Sequence, residues 1–308
     1  MLTHLPTSSR ASAMAAAAAF LVGALAVFGR FGLAGDVHAQ PAPVAMYVSV
    51  LDKDGVPVPG LTASEFVVRE NGVRREVLRV EQPVTGAIDI ALLVDNTAAS
   101  SPYLQDIRQA ATAFVKAMHA THFISLVTFG DRPTIAADYT HDLEKLMGGI
   151  GRLFPLEGSG SYLLDGLVEV GKGLAKRKPE RAAIIVISAE GPELGNYHHD
   201  EVLAALADSG ALVTALVLTP RAVTRVNDAT RSRLVVLDRG PAASGGVRYD
   251  LITSMALTEK LKLVASQLAN QYRVVYSRPE SLIPPDKFDV SVTRPGLEAH
   301  GTPARRRS

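Results

Sequence analysis

The apolar residues of this chain follow two different periodic patterns. From about residue 86, runs rich in Val, Ile and Leu alternate with stretches whose apolar residues recur every three or four positions, as on one face of a helix. We predict strands at 87–94, 123–129, 182–188 and 211–218, an antiparallel edge strand near 133–138, and helices over 102–119, 141–150, 161–176, 198–209 and 255–270. Strands that alternate with helices indicate an α/β fold, a three-layer sandwich with a mostly parallel sheet between two helical layers.

The other pattern has a shorter period and is found in residues 40–84. We predict that these residues form an accessory β unit. Its apolar residues alternate in part, and Asn71-Gly72 favours a tight hairpin. Near the other end of the chain, 288–293 alternates strongly and is predicted to pair with this unit. The predicted boundaries are 40–84 for the accessory unit, 85–278 for the α/β domain, 279–300 for the C-terminal strand and 301–308 for a basic disordered tail.

Turn residues, apolar residues and helix-capping residues predict the structure of three further segments. Residues 220–254 contain Gly240-Pro241 and Gly245-Gly246, which are turn signals, so we predict a long excursion before the last helix. The stretch 272–276 is predicted to be the final strand of that sheet. Ser101-Pro102 is predicted to cap and open the first helix of the α/β domain.

Residues 1–39 have the pattern of a secretory signal peptide. Arg10 precedes the apolar stretch 13–28, and the segment ends in Val37-His38-Ala39, with small residues where a signal peptidase needs them. We predict cleavage after Ala39. The apolar stretch is short beside the about 20 residues of a membrane span, although retention as an uncleaved N-terminal anchor stays open. Either way, the body of the protein is expected outside the cytoplasm, periplasmic or secreted.

The composition argues against nucleic-acid binding and excludes every function that depends on cysteine. The chain has 308 residues with 32 Lys and Arg against 31 Asp and Glu, and removal of residues 1–39 leaves 30 of each. A net charge of zero argues against a nucleic-acid partner, and only Arg305-Arg306-Arg307 stands out as basic. The absence of cysteine excludes disulfides, thiolate zinc sites and thiol nucleophiles.

Oxygen-bearing residues follow three elements of the α/β part. Asp95 and Thr97 come directly after the apolar run 88–94, with Ser100 and Ser101 nearby; Ser161 follows a Gly-Ser-Gly turn, and Glu190 follows the strand predicted at 182–188. Loops at the carboxyl ends of parallel strands meet at one side of a sheet. Carboxylates and hydroxyls are suitable ligands for Mg²⁺, which prefers six oxygen atoms. The sequence therefore predicts a present or ancestral cation site there.

These residues resemble the metal-ion-dependent adhesion site of von Willebrand factor type A domains, and more narrowly the secreted bacterial proteins related to them. The family pattern is Asp-x-Ser-x-Ser in the first loop, Thr in the second and Asp in the third. Here the corresponding positions hold Asp95, Thr97, Ala99, Ser161 and Glu190. The likeness extends from about residue 44 to 300, and includes Leu61-Thr62-Ala63-Ser64-Glu65-Phe66 and Gln271-Tyr272-Arg273-Val274-Val275-Tyr276.

The departures from that pattern leave two interpretations of the site. Ala99 cannot ligate, Glu190 carries its carboxylate one methylene farther out than Asp, and Ser100 could compensate only if the loop is shifted by one residue. The sequence allows weak Mg²⁺ binding or a metal-free relic that keeps the fold.

The resemblance implies a non-enzymatic binding module that holds an unidentified protein partner at the top of the sheet. The alternative is a structural or assembly subunit with a silent site, and a hydrolase is a distant third. His198-His199-Asp200 also suggests a metal cluster, but adjacent histidines on a helix point to different sides, so surface polar residues are the preferred interpretation. Contact with a membrane is expected only through an uncleaved N-terminal segment.

Overall fold

The computed structural model describes residues 41–218, 227–279 and 287–303; the predicted signal peptide and the end of the basic tail lie outside these ranges. The strands are β1 Pro41–Leu51, β2 Phe66–Glu70, β3 Val73–Arg75, β4 Val77–Glu81, β5 Asp89–Val94, β6 Phe123–Thr128, β7 Thr134–Thr140, β8 Ala182–Ala189, β9 Leu212–Leu218, β10 Arg248–Leu251, β11 Tyr272–Pro279, β12 Phe288–Val292 and β13 Glu298–Pro303. The α-helices are α1 Leu104–Met118, α2 Leu143–Gly151, α3 Leu163–Arg177, α4 His199–Ser209, α5 Asp228–Ser244 and α6 Leu257–Ala269.

A six-stranded sheet in the order β10-β9-β8-β5-β6-β7 forms the middle layer. All its neighbouring strands are parallel except β7, which runs antiparallel to β6 at one edge. Side chains of β5 alternate between two cores, with Ile90, Leu92 and Val94 facing α1, α2 and α6 and with Ala91 and Leu93 facing α3, α4 and α5. The prediction of a mostly parallel sheet between two helical layers is confirmed.

Most predicted elements of this domain are present within a few residues, but the excursion predicted at 220–254 is wrong for its described part. Helix α5 and strand β10 form there, and β10 extends the sheet by pairing parallel with β9. Gly240-Pro241 lies inside the helix instead of ending it, and Gly245 ends it with a positive φ of 79°. A Cβ at Gly246 would lie 1.9 Å from the Val213 carbonyl oxygen, so only glycine allows this close approach to β9.

The strand predicted at 272–276 is also placed differently. It forms as β11, but it belongs to a second, four-stranded sheet with the order β13-β1-β11-β4. A three-stranded sheet, β12-β2-β3, accompanies this sheet, and their shared core contains Met46, Phe66 and Tyr272. The last strand after α6 therefore adds to the accessory β unit. Antiparallel pairing of β12 with β2 joins the C-terminal segment to the same unit.

The accessory unit contacts the α/β domain at the amino end of the parallel sheet. The Tyr47 hydroxyl donates a hydrogen bond to Glu180 at 2.9 Å, just before β8 begins. Arg181 is buried and donates to the Leu268 carbonyl and to Gln271. The opposite side, where β5, β6, β8, β9 and β10 finish, is here called the carboxyl end of the sheet. Within the described ranges, no helix combines the length and apolar character that a membrane crossing requires.

Candidate functional site at the carboxyl end of the sheet

Asp95 is the first residue after β5 and has no solvent-exposed surface. Its Oδ1 accepts a hydrogen bond from the Thr97 amide at 2.8 Å, and its Oδ2 accepts one from the Ala189 amide at 2.9 Å. The Ser188 hydroxyl donates a longer bond of 3.4 Å to the same Oδ2. The carboxylate therefore ties the end of β5 to the end of β8, as its position after a central strand predicts.

Asn96, which the sequence analysis did not single out, joins the first loop to the second. Its side-chain oxygen accepts a bond from the Gly130 amide at 2.8 Å, and its backbone oxygen accepts one from the Leu156 amide at 2.9 Å. Gly130 in turn forms a β-bridge with Ser161. Loops after β5, after β6 and before α3 are thus held together by backbone groups around one asparagine.

The remaining first-loop residues lie in a 3₁₀ turn, Ala98–Tyr103. Ser101 and Pro102 belong to this turn, so the prediction that they cap and open an α-helix is wrong, and α1 begins at Leu104. The Ser100 hydroxyl donates to the Thr97 carbonyl at 2.9 Å, which makes it a turn-stabilising group. A Cβ built at Gly191 would lie only 2.9 Å from the Ala99 methyl, so the first and third loops approach closely at these residues.

Ser161 lies just before the first residue of α3. Its hydroxyl contacts the carboxylate of Glu193, whereas the acid that the sequence predicts for this site is Glu190. The Ser161 hydroxyl donates to Oε2 of Glu193 at 2.6 Å and accepts a bond from the Leu163 amide at 3.2 Å. Glu193 has no exposed surface, and its Oε1 accepts bonds from the amides of Leu164 and Gly195. Burial raises the pKa of Glu193 to about 7, although the Ser161 hydrogen bond and the charge of Arg233 oppose that rise.

Glu190 takes no part in these side-chain contacts. It is half-buried at the end of β8, and its amide donates to the Leu218 carbonyl at 3.2 Å. The acid that binds the second loop is three residues farther along, in a segment without strand or helix periodicity. No local pattern marks Glu193, because its burial depends on α3 and α5 packing over the loop.

Arg233 of α5 is the third site residue, after Asn96 and Glu193, that the sequence analysis missed. It is 4% exposed, and it donates hydrogen bonds to the Ala189 carbonyl at 2.6 Å, the Ser188 hydroxyl at 2.8 Å and the Gly191 carbonyl at 3.0 Å. The helix that carries it is fixed against the loop after β8, because the Asn227 side chain donates to the Glu193 carbonyl and the Glu193 amide donates to the Thr230 hydroxyl. A buried cation is therefore linked to Asp95 through the Ser188 hydroxyl.

Metal binding at Asp95, Thr97, Ser161 and Glu190 stays a prediction of the sequence, and the surrounding side chains fit it poorly. Ala99 offers a methyl group where the family pattern has a hydroxyl. The hydroxyls of Ser100 and Ser161 are engaged with a carbonyl and a carboxylate. A magnesium ion requires six oxygens in near-octahedral geometry, and the guanidinium that is hydrogen-bonded to the end of β8 and to the third loop would repel it.

A separate cluster of metal-ligand side chains lies at the start of α4. His198, His199 and Asp200 have ligand atoms within 4.8 Å of one another, the one such group of three among the described residues. The two imidazole rings lie 3.8 Å apart, so the expectation that they point to different sides is wrong. His198 precedes the helix in extended conformation, which allows its ring to turn toward its neighbour.

Comparison with known proteins identifies part of the chain. Residues 90–191 match the family described as von Willebrand factor type A domain. The matched segment is less than half of the chain; it begins in β5 and ends at Gly191, at the start of the third loop and before Glu193. No curated protein sequence matches the chain. Together with the sheet order and its two helical layers, the match shows the Rossmann-like fold of a von Willebrand factor type A domain.

Several solved structures are similar at low sequence identity. A von Willebrand factor type A protein from Catenulispora acidiphila aligns with a TM-score of 0.49 and 10% identity over 86% of this chain and 63% of its own. The vWF domain of the type V pili tip protein Mfa5 from Porphyromonas gingivalis aligns with a TM-score of 0.45 and 12% identity over 60% of this chain and 96% of its own. This chain therefore spans less than two thirds of the Catenulispora acidiphila structure.

Proposed function

We propose that this chain is a non-enzymatic, extracytoplasmic protein-binding module that holds a partner protein at the carboxyl end of its six-stranded sheet. The extracytoplasmic location is supported by the signal-peptide pattern of residues 1–39. Binding at the carboxyl end is supported by where the exposed apolar side chains lie.

Large apolar side chains are exposed mainly at this end. Nine are exposed in the described ranges, and six of them lie in the loops or the nearby strand and helix turns at the carboxyl end, namely Ile135, Phe154, Leu194, Leu234, Ile252 and Met255. Ile252 is 94% exposed and Met255 is 80% exposed, immediately after β10. Covering these side chains would remove apolar surface from water and so stabilise a complex with a partner at this end.

The amino end of the same sheet has contacts from the chain itself. Tyr47, Leu268 and Gln271 supply hydrogen bonds or ring contacts to Glu180 and Arg181 there. A partner that used the same sheet end would have to displace these buried contacts. The carboxyl end is therefore the favoured docking side of the α/β domain.

The alternative is an assembly subunit that uses its accessory β unit. The other three exposed large apolar residues, Val56, Val73 and Leu78, all lie on that unit. They are less exposed than Ile252 and Met255, which favours the carboxyl end as the main contact.

Site-specific photocrosslinking in the cells that make the protein separates these two functions. A photoreactive amino acid replaces Ile252 in one strain and Val73 in another. We expect a discrete protein adduct from position 252, unchanged by chelator and lost when Met255→Asp is added. The matched control adds Leu78→Asp, which should leave that adduct intact.

Two results would contradict the proposed function. An adduct from position 73 alone would favour the assembly subunit. An adduct from position 252 that survives Met255→Asp but disappears with chelator would return the metal ion to the binding mechanism.

A further inference from the structure

We propose that the guanidinium of Arg233 replaces the divalent cation at the carboxyl end of the sheet, so that this site needs no metal ion. Arg233 stabilises the site in this way whether or not a partner protein binds there.

The first support is the contact of Arg233 with the end of β8 and with the third loop of the site. Its guanidinium bonds to the Ser188 hydroxyl and to the carbonyls of Ala189 and Gly191, at 2.6–3.0 Å. These residues form the end of β8 and the start of the third loop. One planar side chain with several donors therefore fixes the third loop from inside the protein, without an ion.

The second support is charge. Asp95 and Glu193 have no exposed surface, and buried carboxylates require a compensating positive charge or strong hydrogen bonds. Ser188 connects Arg233 to Asp95, since its hydroxyl accepts from the guanidinium at 2.8 Å and lies 3.4 Å from Oδ2 of Asp95. The positive charge of Arg233 also acts on Glu193. A single permanent cation is thus linked to Asp95 through one hydroxyl and favours the charged form of Glu193.

The third support is Ala99, which has a methyl group at the one first-loop position where the family pattern has a hydroxyl ligand and this chain has none. Ala99 lies against Gly191, where any side chain on residue 191 would meet its methyl group. A hydroxyl at position 99 has no function if no ion is coordinated. Ala99 and Arg233 are therefore consistent with each other: one removes a ligand, and the other supplies the charge.

The test is thermal unfolding of the purified full-length chain with millimolar Mg²⁺ or with EDTA, for the wild type and Arg233→Met. We expect the unfolding midpoint of the wild type to be the same in both solutions. Arg233→Met should unfold several degrees lower in EDTA, and Mg²⁺ should restore part of that loss, because the uncovered carboxylates then bind the ion. Adding Ala99→Ser should increase the restoration.

Arg231→Met is the matched control. Arg231 lies on the same helix two residues earlier, is exposed and pairs with Asp228, so its loss should change the midpoint little and give no response to Mg²⁺. The experiment uses Mg²⁺ as its probe ion and not a transition metal, because His198 and His199 at the surface are suitable ligands for transition metals.

Calorimetric titration of the wild type with Mg²⁺ keeps the proposal testable if Arg233→Met does not fold. Arg233→Lys, which keeps the charge but has one donor nitrogen, should fold and remain insensitive to Mg²⁺. Saturable binding by the wild type that Asp95→Ala abolishes would overturn the proposal. It would also be overturned if Arg233→Met matched Arg231→Met in stability.

Discussion

The hydroxyl of Ser161 donates a 2.6 Å hydrogen bond to a buried carboxylate oxygen of Glu193, 32 residues later in the chain. This contact joins the start of α3 to the loop after β8. The Glu193 side chain in this contact is shielded from water, since Glu193 has no exposed surface. A carboxylate in such surroundings makes the stability of the domain depend on pH.

We predict that Glu193 destabilises the folded state as the pH rises from about 4.5 to 7. Burial raises its pKa from 4.5 to about 7, so the folded chain binds more protons than the unfolded chain within that window. The favourable contribution of the protonated acid is present below 4.5 and is lost as the pH passes 7. The loss amounts to about 3 kcal/mol in the free energy of unfolding.

Urea unfolding from pH 4 to 8, for wild type and Glu193→Gln, measures this effect. Glutamine cannot titrate and can keep the contact with Ser161, so the stability of the variant relative to wild type should increase with pH. Glu190→Gln is the control, because Glu190 is half-buried at the same loop and should follow the wild type. Parallel curves for wild type and Glu193→Gln would show that the Glu193 pKa is ordinary.

We predict an energetic coupling between Gly191 and Ala99. Gly191→Ala would place a Cβ 2.9 Å from the Ala99 Cβ, so one loop must move, at a cost of about 1 kcal/mol. In the double variant with Ala99→Gly the contact is relieved, and the two changes should be non-additive by about 0.5 kcal/mol or more. Chemical denaturation of the four proteins measures the coupling, and strict additivity would mean that the loops separate in solution.

The central sheet could be predicted from sequence because its strands are buried on both faces. Ile90 and Leu92 face one helical layer and Leu93 faces the other, which requires a continuous apolar run. Strand β10 has no such run and lies at the sheet edge, and α5 contains Gly240-Pro241, which resembles a turn. These two elements depend on tertiary packing, so local signals misplace them.

The candidate site was predictable only in part, for a related reason. Asp95 follows a central strand, and topology alone places it at the carboxyl end of the sheet. Glu193 and Arg233 become site residues because α5 packs over the loop after β8, which local sequence does not specify. Glu190 is the first acid after the strand predicted at 182–188, so its position in the sequence favours it as the third-loop acid, whereas the structure places Glu193 against the second loop.

Leu92 should be among the residues on which the fold depends most. It is fully buried in β5 between neighbours on both sides, so Leu92→Ala should lower the free energy of unfolding by about 2–5 kcal/mol. Leu78→Ala is the matched control, since Leu78 is 47% exposed on β4 and its loss should cost no more than about 0.5 kcal/mol. Equal effects of the two substitutions in chemical denaturation would contradict the assignment of β5 to the sheet centre.

Arg181 should hold the accessory β unit to the α/β domain. Its guanidinium donates to the Leu268 carbonyl at 2.9 Å and to Gln271 at 2.7 Å, and it lies 5.0 Å from the centre of the Tyr47 ring. Arg181→Met keeps the apolar stem but leaves both acceptors unpaired, so we expect a loss of about 2–4 kcal/mol.

Native-state hydrogen exchange can locate the effect of Arg181→Met. If Arg181 joins the two parts, amides of β1 and β11 should exchange faster in the variant, while those at the centre of β5 change only as far as global stability falls. Arg239→Met, at an exposed position on α5, is the control and should leave both sets unchanged. Uniform acceleration across β1, β11 and β5 would instead mean that the two parts unfold as one cooperative unit, with Arg181 inside its core.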